Sequence, residues 1–388
     1  MKTLKFLTLS IFLTSILSCK AETKINPDIA FIETKTSVNL TSPENQQYIK
    51  VALLLDTSNS MDGLIDQAKA QLWEIVNELS YAKCNKERPL LEIALYEYGN
   101  DRLSPRNGYI RKIQNFTDDL DDISRELFSL TTNGGSEYCG TVIKSSLENL
   151  DWGNNPDDLK MIFIAGNEPF TQGNISYKEA ATNANEKDVV INTIFCGDYQ
   201  NGISSYWKDG AQLTQGDYMA INHNQQTVYV ETPYDDIILQ LNIKLNKTYI
   251  PYGQQGRQKV AVQHEQDKNA LGYGKSNAVS RTISKGSHLY KNNTWDLVDA
   301  EAEDSFSYAQ LKKEDLPDEL KNKTTKEIKA YIEKQRKERN NIQKEISKLN
   351  LKRKEYISKN QSNEANALES AMLKAIKKQA KKKNYNWD

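Results

Sequence analysis

The chain has 388 residues, which is enough for two or three domains. Its 51 lysines and arginines nearly balance its 52 aspartates and glutamates, so the chain lacks the overall positive charge that is typical of nucleic-acid-binding proteins. The composition therefore excludes a general polyanion binder and favours a folded protein made of several segments.

The N-terminus has the pattern of an export signal. A short basic start is followed by a mostly apolar stretch that is too short for a membrane-spanning helix but suits a signal-peptide core. The stretch ends in Ile16-Leu17-Ser18-Cys19, which resembles a bacterial lipobox. We therefore expect a signal peptide over residues 1–18, a lipid anchor on Cys19, and a location on the outer membrane or periplasmic face of a bacterial envelope. An ordinary secretory signal cleaved nearby is the alternative.

The next segments predict a tether and then an α/β domain. Residues 20–46 are polar with scattered Pro and Thr, as in a tether. Apolar runs typical of buried strands then alternate with amphipathic segments. The predicted strands are 48–55, 90–98, 109–116, 159–164, 189–195 and 226–230, and the predicted helices are 62–82, 118–130, 141–150, 177–185 and 235–245. This alternation predicts a doubly wound, mostly parallel sheet flanked by helices over residues 47–253.

The character of the chain changes after residue 253. Residues 254–307 are polar and weakly periodic, which predicts a linker of limited order. Residues 308–388 are rich in Lys and Glu, and apolar residues recur there at helical spacing, at Ile342, Ile346 and Leu349 and again at Leu368, Met372 and Ile376. We predict a coiled-coil-like helical hairpin that packs on itself, on the main domain or on a partner.

The most informative motif follows the first predicted strand, in Asp56-Thr57-Ser58-Asn59-Ser60. Ligands of parallel sheets bind beyond the carboxyl ends of the strands, so a carboxylate and two hydroxyls arrive where a site is expected. These hard oxygen donors suit Mg²⁺, Mn²⁺ or Ca²⁺ better than zinc or copper. The alternative is that Asp and Ser simply cap the helix that follows.

This motif, followed by an amphipathic helix, resembles that of von Willebrand factor type A (VWA) domains, here in a bacterial exported subgroup. The resemblance covers about half of the chain, from Tyr48 to Asn246. It implies a doubly wound sheet with a metal-ion-dependent adhesion site (MIDAS) at its edge. The ligands that it implies are Asp56 through water, Ser58 and Ser60 directly, and Thr141 at the start of a helix, with Thr132 as the other candidate threonine.

The last ligand position departs from the family pattern. The family usually ends its fourth strand in Thr-Asp-Gly, whose Asp completes the site, but here Gly166 takes the Asp position. Asn167 and Glu168 remain as candidate oxygen donors. Loss of a carboxylate leaves less negative charge for the cation and weakens its binding.

Two cysteines are placed near this predicted site. Cys139 begins a predicted helix beside it, and Cys196 ends a predicted strand at the same edge. In an oxidising compartment a Cys139–Cys196 disulfide is therefore a candidate. It requires that the two residues meet the distance limits of such bonds. The alternative is that both are small buried thiols.

Together with the predicted lipid anchor, the resemblance implies a membrane-anchored module that binds an unidentified protein partner through an acidic residue of that partner, and not an enzyme. One alternative is a scaffold that acts through its helical tail with a degenerate metal site. A hydrolase is the other, using Asp56 with Glu97, Asp101 or Glu168. The spacing selects no such pair, and Ser58 has no nearby His or Lys to activate it.

Overall fold

The computed structural model describes residues 46–85, 87–224, 230–360 and 367–387. The predicted signal peptide, Cys19 and the tether up to residue 45 lie outside the described residues. So does the predicted strand 226–230, except for its last residue.

A six-stranded sheet is built around the predicted first strand. The strand order is β4-β3-β1-β5-β6-β7, and all neighbours are parallel except β3 and β4. A separate two-stranded sheet pairs β2 with β8. The strands are β1 Tyr48–Asp56, β2 Lys83–Cys84, β3 Leu90–Tyr98, β4 Ile110–Thr117, β5 Leu159–Gly166, β6 Val190–Cys196, β7 Tyr218–Ile221 and β8 Tyr385–Asn386. β7 is a strand that the hydrophobic pattern did not predict.

Twelve α-helices occur in the described part of the chain. They are α1 Asp62–Leu79, α2 Leu120–Ser129, α3 Cys139–Asn149, α4 Tyr177–Glu186, α5 Tyr199–Ser204, α6 Trp207–Gln212, α7 Asp235–Asn246, α8 Gly253–Tyr273, α9 Lys275–Lys285, α10 Leu297–Ala300, α11 Thr325–Asn360 and α12 Ala367–Lys381. None of the helices within these described ranges combines the length and the apolar content needed to span a membrane.

The sheet separates two apolar layers, because successive side chains of a strand point to opposite faces. On β1, Val51, Leu53 and Leu55 pack in one layer with α1, α2, α7, α9, α11 and α12. Ala52 and Leu54 pack in the other layer, with α3, α4 and α6. Helices on both faces make this the doubly wound α/β fold that the sequence predicted.

Residues 254–307 contain three helices, so the prediction of limited order for this segment is wrong. Arg281 and Lys285 of α9 are only 1% and 0% exposed. The Arg281 guanidinium lies 2.6 Å from Asp121 of α2 and 2.6 Å from Asp267 of α8. The segment combines these buried ion pairs with core side chains such as Val279 and Trp295. A search for apolar periodicity cannot detect the ion pairs.

The C-terminal region forms two helices that pack on the sheet domain, which was one of the three packing partners considered. Ile342 and Ile346 of α11 and Ile376 of α12 belong to the apolar layer beneath the sheet. Arg353 of α11 also forms a buried ion pair with Asp235 of α7, at 3.2 Å. The described residues together form one compact unit.

Candidate metal centre

The carboxyl ends of β1, β3, β5 and β6 form one edge of the sheet, called here the carboxyl edge. The register pairs Asp56 with Tyr98 and Leu55 with Ala165, so Gly166 lies at the level of Asp56. Parallel strands bring their ends to one edge, and this is where a site is expected in such folds.

The three residues of the motif converge at the carboxyl edge. Asp56 is fully buried, and its Oδ1 accepts a hydrogen bond from the Ser58 backbone amide at 2.7 Å. Its Oδ2 accepts one from the Ser58 hydroxyl at 3.2 Å. The hydroxyls of Ser58 and Ser60 are 3.2 Å apart. The three oxygen-bearing side chains of the motif therefore lie together at the carboxyl edge.

Glu137 is a fourth member of the site, and the sequence did not single it out. It lies in the loop 130–138 that precedes α3 and is 2% exposed. Its side chain lies beside that of Asp56, since a Cβ at Gly99 would come 2.6 Å from Asp56 Oδ1 and 2.8 Å from Glu137 Cγ. The loop comes close because Gly135 has no side chain, and a Cβ there would lie 2.2 Å from the Gly99 carbonyl oxygen. The available signal was a glutamate in a glycine-rich loop just before a helix.

The contact between Asp56 and Glu137 has an electrostatic cost. Burial raises the pKa of Asp56 well above its ordinary value, and the charge of Glu137 raises it further. Burial also raises the pKa of Glu137, although hydrogen bonds from Asp56, Ser58 and the Glu168 amide oppose that effect. Two buried carboxylates in contact share a proton, which leaves one negative charge, unless a cation between them allows both to be charged.

The two candidate threonines differ from the motif residues in their contacts. α3 begins at Cys139, so Thr141 lies within its first turn. The Thr141 methyl group lies close to Gly108, where an added Cβ would be only 2.9 Å from it. Among the described residues, no hydrogen bond joins Thr141 to Asp56 or to the serines of the motif. Thr132 donates a hydrogen bond to Asp62 instead.

Asn167 and Glu168 reach the site in different ways. Asn167 Nδ2 donates a hydrogen bond to the Ser60 hydroxyl at 3.1 Å, and Asn167 Oδ1 is buried without a hydrogen-bond partner. The exposed Glu168 contributes its backbone amide, which donates to Glu137 Oε2 at 3.2 Å. Its carbonyl oxygen accepts from Trp207 Nε1 at 2.8 Å. Asn167 thus offers a side-chain oxygen, whereas Glu168 holds Glu137 in place.

The structure explains why residue 166 is a glycine. A Cβ at this position would lie 2.5 Å from the Tyr98 hydroxyl and 3.3 Å from the Asp56 Cβ. That hydroxyl donates to the Ala165 carbonyl at 2.9 Å, so it is fixed. Tyr98 therefore occupies the space that an aspartate side chain would need.

Cys139 and Cys196 are both buried free thiols, so the predicted disulfide is not formed. Cys139 packs in the apolar layer with α3, and its sulfur lies 3.9 Å from the Tyr98 hydroxyl. Cys196 packs in the other apolar layer. Both lie near one edge of the sheet, as predicted, but the sheet itself separates them.

The donors present fit a hard divalent cation. Two carboxylates, two serine hydroxyls and the unpartnered amide oxygen of Asn167 are all oxygen ligands of the kind that Mg²⁺, Mn²⁺ and Ca²⁺ prefer. Across the described residues there is no group of three or more His, Cys, Asp or Glu side chains that could hold a metal ion. A cation at this edge would therefore depend on the hydroxyl and amide oxygens as well as on Asp56.

Comparison with solved structures finds similarity at low identity. The conserved hypothetical protein BatB from Bacteroides thetaiotaomicron is 15% identical, over 45% of this chain and 90% of that chain, with a TM-score of 0.34. An aerotolerance-related membrane protein from Bacteroides fragilis NCTC 9343 is 15% identical over 45% and 93%, with a TM-score of 0.31. The SpRpn10 VWA domain is 15% identical over 45% and 87%, with a TM-score of 0.34. No protein-family model matches the sequence, and the comparison with curated proteins finds no match.

The architecture itself agrees with the family that the sequence resembles. A mostly parallel sheet has helices on both faces, and the Asp56 motif ends an inner strand at its carboxyl edge. The described part of the chain therefore has a VWA-like α/β fold, followed by a C-terminal helical region.

Proposed function

We propose that this chain is an exported, lipid-anchored envelope protein that binds a protein partner at the carboxyl edge of its VWA-like sheet, through a divalent cation. The observation that carries the proposal is the convergence of Asp56, Ser58 and Ser60 at this edge. Ser60 is exposed, so the motif runs from the buried carboxylate to the protein surface. This arrangement can hold an ion and still present it to a second molecule.

Asp56, Ser58, Ser60 and Asn167 Oδ1 would hold the cation. When bound, a Mg²⁺ or Mn²⁺ ion, or Ca²⁺, would supply a positive centre that accepts an acidic side chain of the partner. The remaining residues keep these donors in position, because the Asn167 amide also binds the Ser60 hydroxyl at 3.1 Å. The proposed interaction is therefore recognition and includes no catalytic step.

We further propose that the chain is not an enzyme. The Ser58 hydroxyl is hydrogen-bonded to Asp56 and Ser60. Neither partner is a His or a Lys that could activate a nucleophilic serine. Both carboxylates are buried, Asp56 at 0% and Glu137 at 2% exposure. Hydrolysis of chromogenic ester, phosphate or glycoside substrates that disappears in an Asp56→Asn variant would contradict this proposal.

The proposed location depends on the N-terminal sequence. A basic start, an apolar core and Ile16-Leu17-Ser18-Cys19 support export and lipidation of Cys19. Several acyl chains on one cysteine hold a protein firmly on a membrane. We expect a Cys19→Ala variant to leave the membrane fraction, and its retention there would contradict the anchor.

Thermal unfolding with Mn²⁺, with Mg²⁺ and with chelator tests the cation. We expect divalent ions to raise the melting temperature of the wild type, because a ligand that binds only the folded state stabilises it. Asp56→Ala should remove this shift. Ser60→Ala should reduce it with little effect on folding, because Ser60 is exposed, and Thr141→Val should retain it.

The same variants test the partner. Proteins captured from membranes on the wild-type chain should be released by chelator and should be missing from the Ser60→Ala capture. If divalent ions change the melting temperature of neither the wild type nor any variant, the proposed cation is contradicted. A scaffold role of the helical tail then becomes the better explanation. That second candidate is favoured by Gly166, which removes the family's last carboxylate.

A further inference from the structure

Glu137 is held in the site by contacts from two directions. Its Oε2 accepts a hydrogen bond from the Glu168 amide at 3.2 Å, and its own backbone amide donates to Gln172 Oε1 at 2.6 Å. Both partners lie in the loop after β5, whereas Glu137 lies in the loop before α3. The carboxylate is therefore fixed beside Asp56 by the fold, and is not a mobile side chain that happens to point there.

In the described part of the chain, these two carboxylates have no compensating positive side chain. Within the described residues, neither Asp56 nor Glu137 forms an ion pair with a lysine, arginine or histidine. Burying a charge without a partner is costly, and proteins normally pair such a charge or use it to bind a metal. A buried pair of carboxylates beside two hydroxyls is thus an arrangement that a divalent cation would complete.

The position of Glu137 also bears on the missing ligand. Gly166 cannot carry a side chain, because Tyr98 fills that space. The chain therefore lacks a carboxylate at the end of β5 but has one at the end of the neighbouring loop. The number of carboxylates near Asp56 is restored from a different element of the fold.

We propose that Glu137 is the second carboxylate ligand of the divalent cation, in place of an aspartate at position 166 and of Thr141. This inference rests on the proposed cation site and adds to it a ligand from the α3 loop. A cation held by both Asp56 and Glu137 would offset the repulsion between these two buried carboxylates. It would also link the β1 end to the loop before α3.

Glu137→Gln is the sharpest test, because it keeps the shape of the side chain and removes its charge. Without cation, we expect this variant to melt at the same or a higher temperature than the wild type, since it relieves the repulsion with Asp56. Its affinity for Mn²⁺ in calorimetric titration should fall by at least about tenfold, the low end of the loss seen when even an outer-shell partner of a metal is removed. Glu137→Asp, which keeps the charge on a shorter side chain, should bind Mn²⁺ with intermediate affinity.

Thr141→Val is the matched control and should bind Mn²⁺ like the wild type. If Asp56→Asn abolishes Mn²⁺ binding but Glu137→Gln binds as the wild type does, Glu137 is not a ligand and the cation site itself survives. If Thr141→Val loses affinity and Glu137→Gln does not, the threonine is the ligand and the inference is overturned. If the wild type binds no Mn²⁺, the inference and the proposed cation fail together.

Discussion

At the scale of single residues, Tyr98 shapes the candidate site as much as the motif does. Its side chain is fully buried at the end of β3, and its hydroxyl is fixed by the Ala165 carbonyl. The tyrosine and Gly166 are therefore matched to each other across β1. Restoring the aspartate of the family at position 166 would have to displace this ring.

We therefore expect Gly166→Asp to destabilise the protein and not to tighten cation binding. Forcing a side chain into a packed position typically costs about 1–3 kcal/mol of the free energy of unfolding. Urea unfolding followed by tryptophan fluorescence measures this loss. Adding Tyr98→Phe, which removes the hydroxyl, should recover part of the stability. A Gly166→Asp variant as stable as the wild type, with a higher Mn²⁺ affinity, would show that Tyr98 does not exclude the aspartate.

The residue scale also separates what the sequence could predict from what it could not. Asp56, Ser58 and Ser60 were identified because they are neighbours in the chain at the end of a strongly apolar strand. Glu137 was missed because its position depends on a loop that folds back against Gly99. Thr141 was assigned from the family resemblance, and the structure places it in the first turn of α3, with no hydrogen bond among the described residues to Asp56, Ser58 or Ser60.

At the scale of elements, α8 and α9 show the limit of apolar periodicity. Charged residues contribute to their packing beside the apolar ones, since Arg281, Asp267 and Lys285 form a buried network. The Arg281 guanidinium also stacks over the Trp73 ring, 4.7 Å from its centre. Long polar side chains can cover apolar surface in this way, so a polar sequence can still be tightly packed.

This network predicts a specific loss of stability in acid. Burial alone raises the pKa of Asp267, but the charges of Lys285 and Arg281 outweigh it and hold that pKa well below its usual range. A carboxylate whose pKa is lower in the folded chain stabilises the fold above its unfolded pKa, about 4, and this contribution disappears as the pH falls towards the folded pKa. We expect the free energy of unfolding, from urea titrations between pH 7 and 3, to decrease steeply below about pH 4.

Asp267→Asn should make the free energy of unfolding less dependent on pH below about pH 4. At pH 7 it should cost about 3–5 kcal/mol, because Lys285 and Arg281 lose a buried counter-charge. Asp304→Asn is the control, since Asp304 is exposed and should leave the slope unchanged. If the free energies of unfolding of the wild type and Asp267→Asn fall in parallel as the pH decreases, protonation of Asp267 is not the cause of the loss of stability in acid.

At the scale of the whole molecule, buried ion pairs join the C-terminal helix α11 to the rest of the fold. Arg339 lies 2.6 Å from Asp296, which is fully buried, and 2.7 Å from Asp299. Its guanidinium also donates to the Thr248 carbonyl at 2.9 Å. These contacts lie between segments that the sequence assigned to a domain, a linker and a tail. A chain joined in this way should not unfold segment by segment.

We therefore expect α11 and β1 to unfold in one transition, as small cooperative domains do. In native-state hydrogen exchange, the amides around Ile342 and Ile346 should open with the same free energy as those of Leu53 and Leu54. Arg339→Ala should lower both opening free energies together by about 3–5 kcal/mol, because it leaves the buried Asp296 carboxylate without its guanidinium partner. Lys337→Ala, on the exposed side of the same helix, should change either value by no more than about 0.5 kcal/mol. Exchange of the α11 amides while those of β1 stay protected would instead make the tail a separate unit, and the ion pairs at Arg339 would then be a surface attachment with little part in the stability of the sheet.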